Sequence, residues 1–266
     1  MFDSIAGDYD ALNHILSLDV DKIWRKKALK QIVDAPAPVQ VLDLACGTGD
    51  FSIAIAKALS RSHKRVGTPI EAHVKAPAKA PVEAQVTSTG FVTGDSGRSD
   101  LMTKGHVTGV DLSEGMLAVM REKVAKAGLT EMISIEEGDG ENLRFPDNTF
   151  DRVTIAFGIR NFENREKGLR EMLRVLKPGG RLVILELSRP ENKIIRWFYD
   201  LYFLHILPKI GGKVSGDKAA YAYLPASVAA FPGKKEFSAT MREAGFRTVT
   251  HKAFTLGICR MYTGEK

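Results

Sequence analysis

The chain has 266 residues, 44% hydrophobic and 26% charged, with a net charge of +6, 24 glycines, 11 prolines and two cysteines. That composition excludes collagen-like, wholly disordered and disulfide-built proteins, and Cys46 and Cys259 are too few for a four-ligand zinc site by themselves. Half of the positive excess falls in residues 60–104, where seven basic side chains meet four acidic ones; so dilute a tract predicts a solvated surface and no nucleic-acid partner.

Ile5, Tyr9, Leu12, Ile15 and Leu16 recur at helical spacing, predicting an amphipathic helix near the start. A second helix is predicted over 21–32, before the Ala-Pro-Ala-Pro punctuation at 35–38. Residues 39–45 form an apolar run of the buried-strand type, which passes through Cys46-Gly47-Thr48-Gly49-Asp50 into a helix over 51–59. Residues 60–104 have little hydrophobic periodicity and bury too little apolar area to offset their ordering entropy, so a flexible insertion is predicted there.

Alternation then resumes. A strand over 106–110 ends at Asp111, and a helix over 114–127 stops at Gly128. Strands follow over 133–136 and 150–157, then a helix over 163–176 stopped by Lys177-Pro178-Gly179-Gly180, then a strand over 181–187. Residues 194–207 are strongly apolar and aromatic but too short to cross a bilayer; they suit a buried helix, a cover over a greasy ligand, or a patch resting on a membrane. A helix over 234–244 and strands over 246–252 and 254–262 complete one α/β domain spanning 1–266. Its mostly parallel sheet is expected to carry helices on both faces. No apolar run reaches the roughly 18 residues of a membrane span, and Met1-Phe2-Asp3-Ser4 lacks a secretory start, so a cytoplasmic protein is expected.

A Gly-x-Gly turn after a first strand suits many nucleotide folds, and a tight packing turn is the plain alternative. Three neighbours narrow the choice. An acid that meets a ribose should end the second strand about 20 residues on. Asp111 follows Gly47 by 64 residues, or by 19 once the 45 residues of 60–104 are set aside. Ser52 replaces the third glycine of a dinucleotide fingerprint, while Asp43 and Asp50 flank the turn. Such acids repel a pyrophosphate and attract an ammonium and a sulfonium, the two cations of S-adenosylmethionine. Finally, Gly138-Asp139-Gly140-Glu141 places an acid-bearing turn after the third strand, where it can meet an adenine amino group. Gly47, Thr48, Gly49, Asp111, Asp139 and Gly140 are therefore the candidate cofactor residues.

Leu42-Asp43-Leu44-Ala45-Cys46-Gly47-Thr48-Gly49-Asp50, Phe157-Gly158-Ile159-Arg160-Asn161 and Arg174-Val175-Leu176-Lys177-Pro178-Gly179-Gly180 resemble the ubiquinone/menaquinone C-methyltransferases. The opening Met1-Phe2-Asp3-Ser4-Ile5-Ala6 with Tyr9-Asp10, Trp24-Arg25, and the closing Tyr223-Leu224, Phe231-Pro232 and Ala244-Gly245-Phe246 fit as well. The likeness covers all of the chain except 60–104, and members of that family usually carry several residues before the opening block. It implies a Rossmann-like class I methyltransferase with a seven-stranded sheet and S-adenosylmethionine as cofactor, matching Thr48, Asp111 and Asp139-Gly140 to the cofactor positions. The implied reaction is methyl transfer to a ring carbon of a polyprenylated quinol, demethylmenaquinol foremost and a methoxy-benzoquinol second, with transient contact at the inner face of the membrane.

Arg160, just past the fourth strand, lies where substrate-facing residues of such sheets fall; it suits phenolate stabilisation, or an ion pair with a carboxylate such as Glu163. Asn161 is expected to hold the loop or a quinol oxygen. Tyr9 and His14 reach the site if the first helix forms a lid, although a core or surface role suits His14 as well. Cys46 reads as a packing residue, since no activating base stands near it in sequence. Methylation of another small molecule or of RNA, and a nicotinamide oxidoreductase, are the competing functions.

Overall fold

The computed structural model describes residues 19–34, 39–66, 105–203 and 218–266. In chain order these form α1 (Val20–Ile32), β1 (Gln40–Leu44), α2 (Asp50–Val66), β2 (His106–Asp111), α3 (Glu114–Lys126), β3 (Ile133–Glu137) and β4 (Phe150–Ala156). A 3-10 turn (Ile159–Asn161), α4 (Arg165–Val175), β5 (Leu176–Leu187), α5 (Lys193–Leu201), α6 (Lys218–Ala230), α7 (Lys234–Glu243), β6 (Arg247–Phe254) and β7 (Cys259–Glu265) follow.

The seven strands make one sheet in the order β3-β2-β1-β4-β5-β7-β6. Strands β1 to β5 pair in parallel, and β7 runs antiparallel to both β5 and β6. The order reverses between β1 and β4, so the helices that follow them cover opposite faces of the sheet and the C-terminal ends of these two strands form the switch point at which such sheets bind ligands.

Apolar residues alternate across the strands into two cores. Val41, Val107, Val183 and Leu185 face α1, α2 and α3, meeting Ile32, Ile55, Leu117 and Met120. Leu42, Leu44, Val153, Ile155 and Ile184 face α4 and α7, meeting Leu169, Met172, Phe237 and Met241. Burial on both faces explains why β1 reads as a continuous apolar run. Asp43 is the one acid within β1 and is only 1% exposed, which singles it out chemically.

Three boundaries differ from the sequence expectation. The helix predicted to stop at 59 continues to Val66, so 60–66 belong to α2; residues 67–104 lie outside the described residues, as does the helix expected over 5–16. Lys177-Pro178-Gly179-Gly180 is a bulge within β5 rather than a stop before it. Leu176 pairs with Phe150 and Arg181 with Arg152, and the positive φ of Gly179 (76°) absorbs the extra residues between them. The last predicted strand is broken, because Thr255 and Leu256 adopt left-handed φ values of 44° and 57° in the turn that joins β6 to β7. No helix among the described residues is long and apolar enough to cross a membrane.

Ile155 is fully buried in the second core. Ile155→Ala is expected to lower unfolding stability by about 2–5 kcal/mol, measured by urea titration of the full chain.

Candidate active site

The turn that leaves β1 approaches the one that leaves β4 with almost no clearance. Ala45 and Phe157 both take left-handed conformations, with φ of 48° and 64°. A Cβ on Gly158 would lie 2.5 Å from the Cβ of Ala45, so only glycine fits there. Non-glycine residues held in this region signal strain that the surrounding packing must sustain, and such strain gathers at functional sites.

Asp111, at the end of β2, fixes the glycine turn. Its Oδ2 accepts from the Gly47 backbone N–H at 2.8 Å and its Oδ1 from that of Ser113 at 2.9 Å, while the Ser113 side chain caps α3. Setting aside only 67–104 leaves a spacing of 26 from Gly47. The placement of Asp111 therefore rests on the Leu44–Val110 register of the sheet and not on loop length.

Two cavities open at the switch point and share Ala45, Gly47, Ala156 and Phe157 as a common wall. The smaller, of about 350 Å³, is lined by Gly47, Asp111, Leu112, Met116, Asp139, Gly140, Asn161 and Phe162. The larger, of about 390 Å³, is lined by Asp21, Trp24, Arg25, Asp43, Thr48, Phe157 and Arg160, and by aromatic residues of α5.

Five of the six candidate cofactor residues thus face a cavity. Gly49 faces neither. It turns toward α3, where an added Cβ would meet Met120 Cγ at 2.4 Å, so its φ of 83° and its missing side chain serve packing behind the turn. Gly140 serves both ends, since it lines the smaller cavity while the Phe162 ring sits where its Cβ would be.

S-adenosylmethionine fits this chemistry. Asp111 lines the smaller cavity with a carboxylate, the acceptor type a ribose requires, and Asp139 offers a second beside the apolar Leu112, Met116 and Phe162. In the larger cavity Asp43 is fully enclosed. Burial pushes its carboxyl up to about 7, although the Ser52 hydroxyl donates to it at 2.5 Å and Arg25 lies near. Asp50, expected to repel a pyrophosphate, is instead matched by Lys123 and by Arg25 at 3.2 Å. The attraction for a cationic ligand therefore centres on Asp43. Burial with the neighbouring Asp43 and Asp111 pushes the Cys46 thiol well up, which agrees with its packing role.

The two candidate catalytic residues part company. Asn161 lines the smaller cavity, and its Oδ1 accepts from the Tyr223 hydroxyl at 2.9 Å, which ties the loop after β4 to α6. Arg160 enters the larger cavity and is anchored on several sides. Its Nη1 donates to Glu186 Oε1 at 3.0 Å and to the Phe157 carbonyl, and its Nε to Ser227 Oγ at 3.2 Å. The second carboxylate oxygen of Glu186 accepts the Arg160 backbone N–H at 3.1 Å. Glu186, not Glu163, is the ion-pair partner. Nη2 has no hydrogen-bond partner among the described residues, so the held guanidinium of this cavity-lining residue keeps donors to offer. Tyr199 shares that wall, and its buried hydroxyl also lacks a partner among the described residues.

Glu186 and Ser227 were not singled out in the sequence. The signal for Glu186 was a lone acid in the apolar stretch Leu182-Val183-Ile184-Leu185-Glu186-Leu187. Nothing local marks Ser227. Tyr9 and His14 lie outside the described residues.

A sheet in this order, with acids where a phosphate would be repelled, defines an S-adenosylmethionine-dependent methyltransferase of class I. The fold comparison agrees. A SAM-dependent methyltransferase from Aquifex aeolicus superposes with a TM-score of 0.52 at 20% identity, over 90% of this chain and 88% of that one. A putative S-adenosylmethionine-dependent methyltransferase from Methanococcus maripaludis gives 0.59 at 17%, over 100% and 94%. The chain belongs to the ubiE/COQ5 methyltransferase family, whose model matches residues 1–266. It is 44% identical to the ubiquinone/menaquinone biosynthesis C-methyltransferase UbiE of Geobacter sulfurreducens, over all of this chain and 87% of that protein. It is 41% identical to the demethylmenaquinone methyltransferase of Deinococcus radiodurans, over all of this chain and 91% of that one.

A carboxyl held near 7 in the fold keeps its proton after the unfolded chain has released it, so Asp43 lowers stability as pH rises from about 4 to about 7. Asp43→Asn is expected to remove that decline in a urea series against pH. Cofactor affinity should tighten between pH 6 and 8 in the parent protein, by up to about tenfold per unit, and stay flat in the variant. Arg160→Ala is expected to strand the Glu186 charge, costing about 3–5 kcal/mol of stability. It should also lower kcat of the folded fraction roughly 100-fold, with cofactor affinity held within about threefold. The Arg160→Ala/Glu186→Ala pair should regain most of the stability and none of the activity.

Proposed function

We propose that the chain methylates a ring carbon of a polyprenylated quinol, converting demethylmenaquinol to menaquinol, with a methoxy-benzoquinol as a second acceptor. The observation that carries this reading is Arg160, a buried guanidinium locked by Glu186 and Ser227 on the wall of a mainly aromatic and aliphatic cavity. Relatives that cover the whole chain at 39–44% identity are named for that chemistry.

When bound, S-adenosylmethionine supplies a methyl group made electrophilic by its sulfonium. A quinol ring carbon becomes nucleophilic when an adjacent hydroxyl loses its proton, and the ring regains aromaticity by shedding the hydrogen of the methylated carbon. A guanidinium is a poor base, so the role of Arg160 is to stabilise the phenolate oxygen and not to take the proton. Its fork is fixed beforehand, which avoids reorganisation as charge develops. Trp24, Phe157, Phe198 and Tyr199 exclude water around that oxygen and strengthen the interaction. Holding the acceptor carbon in line with the methyl group is the remaining task of the cavity walls.

A polyprenyl tail confines such a substrate to lipid, so the enzyme works at the inner face of the membrane as a peripheral protein, with no nucleic-acid partner. Incubation with labelled S-adenosylmethionine and reduced demethylmenaquinone in detergent is expected to place label in the naphthoquinol, and less in a methoxy-benzoquinol supplied in parallel. Label in RNA alone, or in no acceptor despite tight cofactor binding, would overturn the substrate assignment.

A further inference from the structure

Four of the seven large apolar side chains exposed among the described residues lie on one nine-residue helix. On α5, Ile194, Trp197, Phe198 and Leu201 are 70%, 62%, 59% and 40% exposed. Their spacing of i, i+3, i+4 and i+7 puts them on a single face. The helix is firmly held. Asn192 caps it through Ile194 and Ile195, and on its inner side Tyr199 stacks on Phe203 with ring centroids 4.1 Å apart. A fifth exposed residue, Leu256 (73%), stands on the turn after β6, and Ser188 joins that turn to the segment leading into α5 through the Gly257 carbonyl at 2.8 Å.

We propose that this face docks on a bilayer bearing anionic headgroups and sets the mouth of the larger cavity on the lipid, a proposal that rests on the quinol reading of that cavity. Two observations single out a bilayer as the occupant. Phe198 belongs both to the exposed face and to the cavity wall, so a protein seated there would close the way in, whereas a bilayer delivers a lipid-borne substrate through it. The flanking charge is also positive. Lys193 is exposed, and Arg196 donates from Nε and Nη2 to the Pro190 and Glu191 carbonyls, with no ion pair to either cation among the described residues. The nearby acids Glu191 and Asp200, in contrast, are each paired, with Lys234 and Arg260 and with Arg189. An apolar face edged by cations, with an aromatic residue at its centre, is the pattern of a helix lying in the interface plane.

The test uses the full chain and vesicles of phosphatidylethanolamine with phosphatidylglycerol. Flotation is expected to carry the protein up with the vesicles, and less so with neutral phosphatidylcholine. Of the two tryptophans only Trp197 is exposed, Trp24 being 4% exposed, so lipids brominated on their acyl chains are expected to quench its fluorescence. Ile194→Ser/Trp197→Ser, which leaves the cavity lining intact, should lower vesicle partition about tenfold or more. Turnover of long-tailed quinol in vesicles should fall in parallel, while methylation of a short-tailed quinol in vesicle-free buffer stays at the parent rate. Unchanged partition of the double variant, absence of quenching, or a dimer that the variant dissolves would overturn the proposal. Vesicle binding lost in the variant while no quinol is methylated would uphold docking and refute the substrate reading instead.

Discussion

Where the turns after β1 and β4 meet, Gly158 leaves no space for a side chain against Ala45, and two non-glycine residues, Ala45 and Phe157, are bent into left-handed conformations on either side. The rest of the site depends on this contact. It brings Gly47 within reach of Asp111, and it aims the next residues of the β4 loop, Arg160 and Asn161, toward opposite sides of one wall. The strain is sustained by two well-filled cores behind the sheet, so cofactor half and substrate half keep a fixed relation to each other.

Charge is then distributed with little waste. Asp50 at the helix start is matched by Lys123 and Arg25, and Arg174, Arg181 and Arg189 are all paired toward the surface. Asp43 is left as the enclosed acid beside the cation-binding half. Arg160 lines the same cavity with its Nη2 unpartnered among the described residues, its positive charge compensated by Glu186, which is itself fully buried. A buried ion pair of this kind adds little net stability, because desolvation offsets most of the attraction; what it gives is a guanidinium that cannot swing away. Asn161, bonded to Tyr223, lies on the wall of the smaller cavity instead.

The larger cavity is polar around Asp43, Arg25 and Arg160 and otherwise mainly apolar, and Phe198 and Tyr199 of its wall come from a helix whose outer face is apolar too. A single element thus lines the larger cavity on one face and presents an apolar face to the surroundings of the protein on the other.

Much of this was legible in the chain itself. The buried strand 39–45, the Gly47-Thr48-Gly49 turn, Asp111 at a strand end and the Phe157–Asn161 run are local patterns whose physics is short-range: side-chain alternation, positive φ at glycine and an acid closing a parallel strand. Other features were set by contacts distant in sequence. The Gly179 bulge lets Lys177-Pro178-Gly179-Gly180 stay within β5 because Phe150 and Arg152 hold the strand on either side of it. Gly49 carries a cofactor-like motif position yet serves Met120, 71 residues on. By itself, then, the sequence determined the order of the strands, the glycine turn and the family, while α6 (Lys218–Ala230), whose residues show little amphipathic periodicity and include Pro225, was not read from it. Only the tertiary structure decided that Arg160 answers to Glu186 and Ser227, and that Asn161 belongs to the other cavity. Hydrogen bonds and desolvation act between groups 26 and 67 residues apart, and no periodicity along the chain encodes which of them meet.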